Sequence, residues 1–126
     1  MAKGDDIQER LIDFAVSIIK FTTKLPKSTV GKHVSGQILR SGTSPAPNYA
    51  EARSAESSND FIHKLKISLK ELNETAVGLQ IIIRSKMIPS KECMDLQKEC
   101  DELCKIISAS VRTSKKRRGK ITIINK

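Results

Sequence analysis

Residues 61–83, FIHKLKISLKELNETAVGLQIII, decide the fold. Phe61, Leu65, Leu69, Leu72, Ala76, Leu79 and Ile83 recur at steps of four and three, an average of about 3.5 to 3.7 residues, which is one face of an α-helix and far from the two-residue alternation of a strand. Ser57-Ser58-Asn59-Asp60 precedes the stripe and supplies an N-cap. A heptad-like stripe of this length needs partner helices on both sides and predicts shallow crossing angles in a bundle.

Partners are legible on either side. Upstream, Ile7, Leu11, Phe14, Ile18, Phe21 or Thr22, and Leu25 share a face, with Asp5 and Asp6 at the start and Lys20 and Lys24 at the end, as the helix macrodipole favours. Pro26 ends that helix. A second helix opens at Ser28 or Thr29 and places Val30, Val34 and Ile38 on one stripe. The run Ser41-Gly42-Thr43-Ser44-Pro45-Ala46-Pro47-Asn48 predicts a kink and not a full stop, because with Ser44 as a cap both prolines fall where the backbone N–H has no intrahelical partner. The second helix resumes over Tyr49 to Ala55. Downstream of the deciding stretch, Met87-Ile88-Pro89-Ser90 is a turn. Leu96, Cys100, Leu103, Ile107 and Val111 then form the stripe of a last helix ending about Thr113. Short connections between four helices give an all-α, antiparallel up-down-up-down four-helix bundle with a kinked second helix. The domain comprises residues 1–113, and residues 114–126 form a basic, flexible C-terminal tail.

Charge is unevenly distributed. Residues 112–126, RTSKKRRGKITIINK, hold seven positive side chains and no acidic one, against a formal net charge of +9 for all 126 residues. Such a patch attracts polyphosphate regardless of sequence. With three Phe, one Tyr and no Trp, the chain lacks the aromatic platforms of modules that stack bases. Arg112, Lys115, Lys116, Arg117, Arg118 and Lys120 are therefore the candidate nucleic-acid-binding residues, through backbone phosphates of RNA or DNA. The β-branched run Ile121-Thr122-Ile123-Ile124 reads as a disordered end or as a segment that orders on a partner. No apolar run approaches the roughly 18 residues of a membrane span and no signal peptide is evident, so a cytoplasmic protein without membrane contact is expected.

Other chemistry is sparse. Cys93, Cys100 and Cys104 fall near one helix face, and two could share a metal if His33 and His63 came from helices two and three to complete four ligands. Free cysteine also behaves as a small buried hydrophobe, and that reading is preferred. The cysteines sit in no Gly-rich turn that would build an oxyanion pocket, and no Glu-x-x-His suits a di-iron core, so no enzyme activity, metal or cofactor is expected. Arg40, Asn48, Tyr49, Glu51 and Arg53 cluster at the kink as a recognition or assembly site, or as a polar network satisfying the broken helix, with Arg40 donating to the freed carbonyls. The basic set Lys20, Lys24, Lys27, Lys32 and His33 and the acidic set Glu92, Asp95, Glu99, Asp101 and Glu102 could meet between copies, head to tail.

GKHVSGQILRSGTSPAPNYAEA at residues 31–52, followed by AESSNDFIHKLKISLKELNET at residues 55–75, carries a family signature. RSGTS, then N-x-x-E-A, then D-F-x-x-K-x-x-x-A/S-L-x-E-L in order resembles the small bacterial 23S rRNA intervening-sequence proteins, over about Ile7 to Thr113. The resemblance implies a four-helix protomer in a ring-like homopentamer with no assigned enzymatic activity. The family takes its name from reading frames inside inserts of ribosomal RNA genes, a genomic location and not a task. A relative of this fold, the accessory variability determinant of diversity-generating retroelements, binds a reverse transcriptase and nucleic acid, and by analogy a protein partner of that kind is the alternative to direct nucleic-acid binding. Pro45-Ala46-Pro47, where a Gly-Ala pair often stands, and the ITIINK ending depart from the family pattern.

Overall fold

The computed structural model describes residues 4–124, with side chains as far as residue 119. Among the described residues there are five helical segments and no strand: α1 (Asp5–Thr22), α2 (Thr29–Thr43), α3 (Pro45–Arg53), α4 (Ser58–Ser85) and α5 (Ser90–Ile124). Helices α2 and α3 are one helix with a kink. Ser44 between them keeps right-handed helical dihedrals, and its N–H still reaches the Arg40 carbonyl at 3.1 Å. The prolines only shift the axis, because they occupy first-turn positions of α3.

The starts expected from sequence are built as caps. Ser28 Oγ accepts the Gly31 N–H at 3.1 Å, and Ser57 Oγ accepts the Asp60 N–H at 3.0 Å. Lys86 closes α4 in the left-handed region at φ 54°. Helix α4 contacts α2, α3 and α5, while α1 contacts α2, α3 and α5, so α1 and α4 lie across the bundle from each other.

Leu11, Phe14, Ile18, Phe21 and Leu25 from the first stripe are buried, as are Leu96, Cys100, Leu103, Ile107 and Val111 from the last. Three expectations need correction. Val30 is 61% exposed and Val34 only half-buried, because α2 turns Gly31, Ile38, Ser41 and Gly42 inward. A Cβ on Gly31 would lie 1.9 Å from the Pro26 carbonyl oxygen, and one on Gly42 would lie 2.8 Å from Ile18, so side-chain-free positions set the approach of α2 to α1. In α4 the buried face is Ile62, Leu65, Ser68, Glu71, Leu72, Thr75, Leu79 and Ile82, while Phe61, Leu69, Ala76 and Ile83 pack at its edge. Finally, α5 does not end near Thr113. It continues to Ile124, because residues 112–118 contain Lys and Arg, good helix formers, and no breaker ahead of Gly119.

The polar residues on the inner face of α4 serve the kink. Ser68 Oγ donates to the Pro45 carbonyl at 3.0 Å. Thr75 Oγ1 donates to the Glu71 carbonyl at 2.9 Å and accepts from Ser41 Oγ at 2.8 Å. Thr75→Val keeps the shape and strands the buried Ser41 hydroxyl, which is expected to cost about 1–3 kcal/mol in a denaturant titration. Thr75→Val combined with Ser41→Ala removes both polar partners and should recover most of that loss.

Candidate nucleic-acid interface

The basic residues from Arg112 to Arg118 ride on the continuation of α5, packed beside α4. Cys104 Sγ lies 3.4 Å from Asn73 Oδ1, and Arg118 Nη1 donates to Asn59 Oδ1 at 2.8 Å. Between these contacts, Lys115 of α5 faces Lys66 of α4, and the neighbouring ammonium lowers the Lys115 pKa. Asn59, Lys66 and Asn73 recur every seven residues, which keeps them on one flank of α4, and the exposed His63 and Lys70 fall beside them at helical steps. Arg112, three residues before Lys115, is exposed on the same side of α5.

This flank therefore joins Lys66 and Lys70 of the body to Arg112, Lys115 and Arg118 of the extension. Sequence reasoning missed Lys66 and Lys70. Their signal was the four-residue step between two lysines on the outer face of α4, but only the tertiary pairing with α5 makes it part of a larger patch. The other predicted residues spread around the helix. Lys116 is exposed, and Arg117 lines a shallow hollow with Phe61, Ser57, Ser58 and Glu56 on another side. The Lys120 side chain, the side chains of Ile121-Thr122-Ile123-Ile124, and residues 125 and 126 lie outside the described residues.

The five residues named at the kink are each engaged within the protomer and do not form one cluster, although Tyr49 and Arg53 come together beside Gly4. Contrary to the expectation from sequence, Arg40 is not the donor to the kink carbonyls. Its guanidinium reaches across to Glu71 at 2.9 Å and Glu74 at 2.7 Å, and that contact holds the Glu74 carboxyl below its ordinary value. Asn48 supplies the donor instead, with Nδ2 lying 3.0 Å from the Ser44 carbonyl and 2.9 Å from Ser44 Oγ. Tyr49 belongs to the core, where burial raises its phenol pKa. Glu51 pairs with Lys64 at 2.7 Å, while Arg53 ties α3 to the start of α1 through Asp5 at 2.6 Å and Gln8 at 2.8 Å.

The acidic and basic sets expected to meet between copies are partly paired inside one. Lys24 meets Glu92 at 3.0 Å, and Arg10 meets Glu99 at 2.7 Å. Among the described residues, no group of three or more His, Cys, Asp or Glu side chains could hold a metal ion. No helix among them is long and apolar enough to cross a membrane.

Cys93 and Cys100 are buried and donate to the carbonyls of Leu79 at 3.4 Å and Leu72 at 3.2 Å. Burial pushes the Cys93 thiol up to about 11. The hydrogen-bonded contact with Cys104, together with burial, raises Cys100, and the same contact lowers the half-buried Cys104. At neutral pH, a thiolate-selective alkylating reagent should label one thiol per native chain, Cys104, and all three after denaturation. The raised Cys93 value stabilises the fold below the ordinary thiol range. That contribution is lost as pH climbs from about 9 toward 11, because the unfolded chain releases its proton first.

The profile of the family described as 23S rRNA-intervening sequence protein matches residues 5–109. The chain belongs to this family. The 23S rRNA-intervening sequence match covers the bundle and stops ahead of all six basic residues predicted from the sequence. A crystal structure of a protein of unknown function from the S23 ribosomal protein family of Bacteroides thetaiotaomicron is similar, with a TM-score of 0.77 and 35% identity over 83% of this chain and 97% of that one. A comparison with curated proteins returns no match.

Proposed function

We propose that this member of the 23S rRNA-intervening sequence family is a non-enzymatic, oligomeric adaptor that binds nucleic-acid backbones, RNA foremost, through Lys66 and the basic extension of α5. The observation that carries the reading is the facing of Lys66 and Lys115, with Arg112 and Arg118 on the same flank. Like charges brought together by a fold repel, and an anion between them relieves the repulsion. A row of phosphates does so repeatedly, releasing counterions as it binds. The protomer is read as an antiparallel up-down-up-down bundle. In support, Arg10 pairs with Glu99 and Lys24 with Glu92, while Asn73 meets Cys104 and Asn59 meets Arg118, so one helix descends as its neighbour rises. The assembly is read as a ring-like homopentamer, in which a modest patch repeated on each copy becomes a multivalent surface.

The test is fluorescence anisotropy of labelled RNA and duplex DNA with the intact protein across a salt series, with heparin as competitor. Expected is heparin-sensitive binding whose log affinity falls linearly with log salt, by about 0.7 to 0.9 per phosphate neutralised. Absence of binding at low salt, or affinity indifferent to salt, would overturn the reading in favour of a scaffold that docks a protein partner.

A further inference from the structure

Among the described residues, two apolar surfaces on α1, α2 and α4 stay uncovered in a single protomer. One is a ridge on α1, where Ile12, Val16 and Ile19 lie at steps of four and three and are all exposed. Leu39 extends it, lying on α2 between Ser35, whose hydroxyl approaches the Thr22 carbonyl at 3.4 Å, and Gly42, which abuts Ile18. The other is a groove of about 820 Å³ between α2 and α4, lined by Ile38, Leu69, Val77, Gly78 and Ile81. Val77 is 62% exposed and Ile81 54%. A Cβ on Gly78 would come within 2.9 Å of Ile38, so the missing side chain lets the groove floor sit low. Exposed apolar stripes of this kind on two sides of one molecule mark association surfaces.

The two surfaces also carry opposite charge at the N-terminal ends of α1 and of the groove-lining stretch of α4; farther along, the ridge bears Lys20, and the groove rim bears Arg40 and Glu74, paired with each other. Glu9 and Asp13, exposed on the ridge, form no ion pair among the described residues. The groove is edged by Lys66 and Lys70. Spacing matches as well: Glu9 to Val16 and Lys70 to Val77 are each seven residues, about 10 Å of helix. A helix laid with Glu9 against Lys70 brings Val16 over Val77 and Ile19 close to Ile81.

We propose that the occupant of the α2/α4 groove is the α1 ridge of a second copy of this chain, seated with Glu9 against Lys70 and Val16 against Val77. Because ridge and groove are different surfaces, the contact is heterologous: every copy offers both, and the series closes into a ring or runs on as a filament. It deepens the oligomeric part of the proposed function and rests on that part alone. Lys66, at the rim of the groove, stays beside Lys115 and takes no part in the Glu9–Lys70 pair.

The test is solution mass by sedimentation and light scattering, with helical circular dichroism confirming that each variant is folded. Wild-type protein is expected to be an oligomer, and Val16→Asp and Val77→Asp are each expected to fall to the 14.0 kDa monomer. Mixed one to one, the two variants should form a dimer and nothing larger, since one retains an intact groove and the other an intact ridge. Val16→Asp combined with Val77→Asp in one chain should pair with nothing. Glu9→Lys should weaken assembly, and adding Lys70→Glu should restore it. An oligomer that survives Val77→Asp overturns this contact and leaves the oligomeric reading standing, with another surface responsible and the groove open to a different occupant. A monomeric wild type overturns both.

Discussion

A chain ending at Val111 is expected to lose RNA and duplex DNA affinity by at least about a hundredfold at roughly 0.1 M salt, and its salt slope should drop by about 4 to 5. The truncation removes Arg112, Lys115, Lys116, Arg117, Arg118 and Lys120, each able to neutralise one phosphate. Lys66 and Lys70 remain on α4 but no longer belong to a two-helix cluster, so what survives is weak, nonspecific attraction. The fold should persist, because the buried stripe of α5 ends at Val111. A full-length variant with Lys115→Gln, Lys116→Gln, Arg117→Gln and Arg118→Gln separates charge from chain length. It should reproduce most of the loss with an unchanged thermal midpoint. Binding by the truncated chain with the slope of the intact one would show that the site lies elsewhere on the body.

How much of this was legible follows the physics of each element. The stripes of α1 and α5 read correctly because their inner faces are apolar throughout, so hydropathy reports burial directly. Helix α4 did not, although its existence was plain. Ser68, Glu71 and Thr75 look like solvent-facing residues in an apolar scan, yet they point inward to serve Pro45, Arg40 and Ser41 at the kink. The kink could be read from Pro45 and Pro47, but not its partners, which lie more than twenty residues away in sequence. In α2 the inner face is partly glycine, which carries no hydropathy signal and lets the apolar Val30 mislead. The charge of the α5 extension was visible in composition. Its pairing with Lys66 was not, because Lys66 sits amid the ordinary surface lysines of an amphipathic helix and acquires its meaning only from the neighbour across from it.

Leu72→Ala should be the most destabilising of the single substitutions considered for the bundle. Leu72 is fully buried, midway along a helix that contacts α2, α3 and α5, and its carbonyl accepts the Cys100 thiol at 3.2 Å. Truncating it removes transfer free energy and leaves a cavity that three helices can close only in part, at a cost of about 2–5 kcal/mol. Set against roughly 6–19 kcal/mol for a chain of this size, that is a large share, and the thermal midpoint should fall by roughly 10 °C or more. Val77→Ala is the informative contrast. Val77 lies on the same helix but faces outward, so in an isolated protomer its loss should stay within about 0.5 kcal/mol. If Val77 instead packs against a second copy, the thermal midpoint of the wild type will rise with protein concentration, and the deficit of Val77→Ala will grow with it, because association stabilises by mass action. The Leu72→Ala deficit, belonging to the protomer itself, should change little with protein concentration. A Leu72→Ala cost below about 1 kcal/mol would mean that α4 is not packed on all three neighbours at this level of the bundle.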